Sequence, residues 1–137
     1  MTLHSHMMRS MSSRFKYGES DCVLFIGRYF EKLGAPIFKT IEETIFINKR
    51  NWPKSFKELE DVSEKLGYEN VGHMHEILIN KIGFTKAKTP QDGDLILDDD
   101  TYRLGLGWHG GGAFLEATDG LAISCKDFPK RWVYDRI

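Results

Sequence analysis

The hydrophobic period of this chain changes at Pro90, and that change limits the fold more than any single residue does. Before it, apolar residues recur every three or four positions, as on one face of a helix. After it, glycines and β-formers run in short segments bounded by turn residues. Helices first and strands afterwards imply an α+β domain in which helices pack on an antiparallel sheet. The 137 residues fit one domain and can bury a core without disulfides or metal.

The first clear helix is expected from Ser20 to Leu33. Ser20 or Asp21 can cap it, Cys22, Ile26, Tyr29, Phe30 and Leu33 recur at helical spacing, and Gly34 can end it. The segment 35–50 stays undecided, because Thr44 to Ile47 have strand propensity without flanking turn signals. Ser55 and Glu58 form a capping-box pattern for a second helix with Phe56, Leu59, Val62 and Leu66 on one face. A third is expected over Gly72–Ile82, with Met74, Ile77, Leu78 and Ile82 inward. Strands are expected at 95–97, 102–108, 113–117, 121–125 and 131–137. Gly110 to Gly112 and Asp119-Gly120 read as turns between them. Residues 1–13 are polar and aperiodic and read as a flexible arm, with one domain over 14–137.

A formal net charge of -1 argues against a general nucleic-acid or membrane-surface binder. No apolar run approaches the roughly 20 residues of a bilayer span, and the N-terminus lacks the apolar middle of a secretory signal. The chain is therefore expected to fold in the cytoplasm that makes it. Its two cysteines, Cys22 and Cys125, are too few for a disulfide framework and are expected as free thiols.

Cys22 carries most of the functional question. A thiol in the first turn of a helix sits in the field of unpaired backbone N–H groups, which favours thiolate. Such a cysteine can be a nucleophile, or a small buried residue at the start of an ordinary helix.

The run Phe15-Lys16-Tyr17-Gly18-Glu19-Ser20-Asp21-Cys22 sits at the start of that helix. Pro90-Gln91-Asp92-Gly93-Asp94-Leu95-Ile96-Leu97 introduces the first strand. Leu104-Gly105-Leu106, the glycine-rich turn, Ala113-Phe114, Asp119-Gly120-Leu121 and Arg131-Trp132-Val133 follow. In order and spacing these motifs resemble the NlpC-type papain-like cell-wall peptidases, and more closely a small phage-tail branch of that superfamily. The resemblance spans nearly all of residues 15–137. It implies a papain-like fold with Cys22 as nucleophile on the helix and its partners on the sheet. It also implies a place in the virion, at the phage tail tip, with other tail proteins as partners and peptidoglycan peptides as substrate.

The match departs at the base. The position that the family gives to a histidine, directly before the apolar-Gly-apolar triplet, holds Arg103. Arginine cannot accept a proton, its pKa lying above about 12. The third polar position corresponds to Glu116. His109 could substitute only through a change of register. It lies six residues from Arg103, roughly 20 Å along an ideal strand. The expectation is a tail structural protein with a degenerate peptidase fold. The alternative is an active cysteine peptidase with Cys22 as nucleophile and, as base, His109 or a histidine reached through an unexpected strand register.

No cofactor or metal is expected. His73 and His75 lie about 200° apart on a helix, so they cannot chelate one ion, and both read as surface histidines. Asp98 to Asp100 read as a solvated loop, and Cys125 as a small core residue.

Overall fold

The computed structural model describes residues 2–11, 16–87, 91–98, 101–109, 111–115, 123–127 and 133–136; for 11, 123–127 and 133–136 it describes the main chain alone. Five helices precede most of the sheet: α1 (Leu3–Met11), α2 (Cys22–Lys32), α3 (Ile37–Ile45), α4 (Phe56–Lys65) and α5 (Val71–Ile82). The strands are β1 (Phe84–Lys86), β2 (Leu95–Leu97), β3 (Leu104–Trp108), β4 (Gly111–Leu115), β5 (Ile123–Asp127) and β6 (Val133–Arg136). They form one sheet in the order β1-β6-β2-β3-β4-β5, every neighbouring pair antiparallel. The expected α+β arrangement is what forms.

Each helix start has a chemical reason. Asp21 caps α2, its Oδ1 accepting from the Leu24 N–H at 2.9 Å. Ser55 caps α4 through the Glu58 N–H at 3.1 Å, and Glu58 reaches back to the Lys54 N–H. Asn70 caps α5 through the His73 N–H at 2.8 Å. α3 is capped from its neighbour, the Glu31 Oε1 of α2 accepting from the Phe38 N–H at 2.9 Å.

Three readings of the sequence change. The N-terminal segment, expected as a flexible arm, is helical from Leu3 to Met11 and packs on α2 through Met7 and His6, 0% and 3% exposed. Thr2 Oγ1 accepts from the Ser5 N–H at 3.0 Å and so closes its first turn. The undecided segment 35–50 contains α3 rather than a strand. Ile37, Ile41 and Ile45 are all buried at a spacing of four, and that stripe outweighs local β-propensity. The glycine-rich turn is shorter than expected. Trp108 pairs with Gly111, so Gly111 and Gly112 belong to β4.

The core lies between the helices and one face of the sheet. Leu95, Leu97, Leu104, Leu106, Ala113 and Leu115 point toward Phe25, Ile26, Ile79 and Met74. Ile96, Gly105 and Phe114 line up on the other face by strand alternation. A Cβ on Gly105 would meet the Ala113 carbonyl oxygen at 2.5 Å and the Phe114 ring at 2.6 Å, so Phe114 can lie across its partner strand only because residue 105 has no side chain. The strands expected at 113–117, 121–125 and 131–137 are observed at 111–115, 123–127 and 133–136. The Asp119-Gly120 turn lies outside the described residues.

Candidate functional site

α2 opens against the start of β3, and Cys22 is its first residue. The thiol is 9% exposed. It lines two spaces. One is a small apolar cavity of about 30 Å³, walled by Ile41, Ile45, Leu59 and Leu78. The other is a cleft of about 320 Å³, lined by Tyr17, Phe56, His75, Thr101, Tyr102 and Arg103 as well as Cys22. A cleft of that size falls at the small end of ligand sites, which span roughly 300–1,000 Å³.

Asp21 is a structural anchor beside the thiol. It is 2% exposed. Besides capping α2, its Oδ2 accepts from the Gly18 N–H at 2.8 Å and from the Trp52 indole Nε1–H at 2.7 Å. One carboxylate thus ties the 16–20 turn, the helix start and the segment after α3 together.

Arg103 lines the cleft together with Cys22. The loop before β3 holds it there. The Asp98 N–H donates to the Arg103 carbonyl at 2.9 Å, and the Tyr102 N–H to the Asp98 carbonyl at 2.8 Å. Asp98 is not solvated as expected. It is 7% exposed and accepts from the Thr101 hydroxyl at 3.0 Å. Gly72 makes room for this loop on α5, since a Cβ there would come within 2.5 Å of the Tyr102 ring.

His109 does not join the site. It is the exposed residue after β3, in the left-handed region at φ 49°, with its ring 4.4 Å from that of Trp108. Arg103 and His109 flank β3 at opposite ends, so the strand's length keeps the imidazole from the thiol. Glu116 lies outside the described residues, as does the side chain of Cys125.

A different histidine enters the cleft. His75, read from sequence as a surface residue, is 2% exposed and lines both spaces with Cys22. Its Nδ1–H donates to the Tyr102 carbonyl at 2.9 Å. A carbonyl can only accept, so the neutral ring carries its lone pair on Nε2. Burial pushes its pKa down to about 4, partly opposed by that hydrogen bond. The usable signal was position. Val71, His75, Leu78 and Ile82 share one helical stripe, which places residue 75 inward whatever its type.

Cys22, Tyr17 and His75 are each neutral at pH 7. Burial pushes the Cys22 thiol up to about 11. The backbone N–H of Leu104 and the charge of Arg103 favour thiolate, but burial outweighs them and Asp21 adds to it. Burial, then Cys22 and Asp21, raise the Tyr17 phenol to about 12. The helix-start field expected to activate the thiol is therefore overruled by desolvation. At pH 7, Cys22 should react with iodoacetamide about 100-fold more slowly than an ordinary thiol, from ionisation alone. Its rate should rise about tenfold per pH unit toward 11. Peptide-resolved mass spectrometry separates it from Cys125, and fast labelling of Cys22 at neutral pH would contradict this picture.

Among the described residues no three of His, Cys, Asp or Glu converge as a metal site requires, and no helix is long and apolar enough to cross a membrane. No family model, curated protein or solved structure matches the chain.

Proposed function

We propose that this chain is a structural protein of a phage tail tip, built on a papain-like NlpC-type scaffold that has lost its peptidase activity. One observation carries the reading. Arg103, directly before β3, lines the same cleft as Cys22 and cannot take a proton, and the thiol itself stays protonated at pH 7. The sequence resemblance supports the scaffold, as does a cysteine-led helix packed on an antiparallel sheet. A protonated thiol whose cleft offers only an arginine and a histidine of pKa about 4 forms an acyl-enzyme slowly. The cleft then serves to bind neighbouring tail proteins.

The test is a phage carrying Cys22→Ala. Plaques at the wild-type efficiency, with the protein present in the virion, are the expected result. Complete virions that adsorb but fail to deliver DNA would sink the reading.

That second outcome would favour a cysteine peptidase, acting on peptidoglycan peptides during genome entry. The observation on its side is that His75 shares the cleft with Cys22 and keeps a lone pair on Nε2. In that case His75→Gln would reproduce the Cys22→Ala phenotype, and the base would come from a helix instead of from the sheet.

A further inference from the structure

A second depression, of about 770 Å³, runs from Tyr17 along α2 and α3 to the segment 47–54. Tyr17 also lines the cysteine cleft, so the two spaces meet at one phenol. Leu24, Phe38, Ile47 and Trp52 provide its apolar surface. The indole is fixed, with its N–H on Asp21 and its ring 6.3 Å from that of Phe38.

The charges along this groove are one-sided. Five cationic residues line it against two acidic ones, Glu19 and Glu42, in a chain whose net charge is only -1. Lys39 is partly neutralised by Glu43 at 3.9 Å. Arg28 donates to the Glu19 carbonyl at 2.7 Å, which leaves its positive charge uncompensated. Arg28, Lys49, Arg50 and Lys54 form no ion pair among the described residues. Four unneutralised cations around a fixed apolar floor complement a ligand that alternates carboxylates with apolar groups.

We propose that this groove docks an extended acidic peptide segment of a partner protein, with carboxylates on the Lys49, Arg50 and Lys54 rim and apolar side chains over Phe38 and Trp52. A peptide supplies both kinds of group that this lining complements, carboxylates for the cations and apolar side chains for Leu24, Phe38, Ile47 and Trp52. The inference does not depend on whether Cys22 is inert, since none of these cations lines the cysteine cleft.

The experiment uses the full chain and a fluorescein-labelled dodecapeptide alternating Glu or Asp with Leu or Tyr, read by fluorescence anisotropy at about 50 mM salt, where exposed charges are weakly screened. Saturable binding is expected, weakened about tenfold or more by Lys49→Glu with Arg50→Glu. It should be unaffected by Lys65→Glu with Lys81→Glu, which lie outside the groove. A lysine-based peptide of the same apolar content should not bind. No binding, or loss equal in both double variants, would overturn the proposal. So would equal affinity for a twelve-residue oligothymidylate, which would mean a site for polyanions in general. Sedimentation showing self-association that the groove variant abolishes would overturn it too, by making a second copy the occupant. Because Cys22→Ala leaves the groove intact, its phage phenotype and this titration fail independently.

Discussion

Asp21→Ala should lower the unfolding free energy by about 3 kcal/mol, measured by urea denaturation at pH 7. The helix cap contributes about 1 kcal/mol. Hydrogen bonds to a charged acceptor contribute about 1.5–3 kcal/mol each when a donor is left buried without a partner. The Trp52 indole N–H is such a donor, 2.7 Å from Asp21 Oδ2 in a half-buried setting. The Gly18 N–H is exposed and regains water, so it adds little. Asp21→Asn keeps an acceptor for the Leu24 N–H and should lose only about 1 kcal/mol. The Trp52 emission should shift to the red in the alanine variant as the ring loses its anchor. A loss below about 1 kcal/mol for the alanine variant would mean that Asp21 does not hold these three segments together. The motif that first suggested catalysis would then need another account of its aspartate.

Acid should weaken the fold through a histidine, before most carboxylates titrate. His75 has a pKa of about 4 in the folded chain, against about 6.5 when unfolded. Above pH 6.5 it is neutral in both states and the full stability is present. Between 6.5 and 4 the unfolded chain takes up a proton that the native state refuses. Stability therefore falls by about 1.4 kcal/mol per pH unit, reaching about 3 kcal/mol. His6 acts in the same direction, its pKa lowered by burial and by the nearby Arg9 and Arg28. The measurement is the difference in slope, from pH 7 to 4.5, between the wild type and His75→Gln. The variant should be flatter by most of the His75 contribution, whatever its stability at neutral pH. Parallel slopes would show that the ring is not buried neutral and would remove it from the cleft.

Elements with their own capping chemistry were legible in the sequence. α2, α4 and α5 each carry a side-chain cap and an apolar stripe, and each forms within two residues of its expected bounds. α1 was missed although Thr2 and Ser5 could have announced it, because its buried face includes His6 and reads as polar by type. α3 starts on a carboxylate from another helix, Glu31, which no local pattern can reveal. β1 is too short to show alternation and exists because β6 pairs with it. In the site, the Leu104-Gly105-Leu106 triplet draws attention to Arg103, which lines the cleft. His75 was hidden because residue type suggested surface while position demanded core.

The strand order has a temporal consequence. β1 and β2 are close in sequence, yet β6 lies between them in space. During synthesis, the backbone donors and acceptors of both strands face a vacant lane until residues 133–136 emerge. The helical layer, built from local contacts, can assemble early, whereas the sheet waits for a long-range strand insertion. In that interval the vacant lane can accept any extended segment, so the emerging chain is most open to mispairing just before β6 arrives.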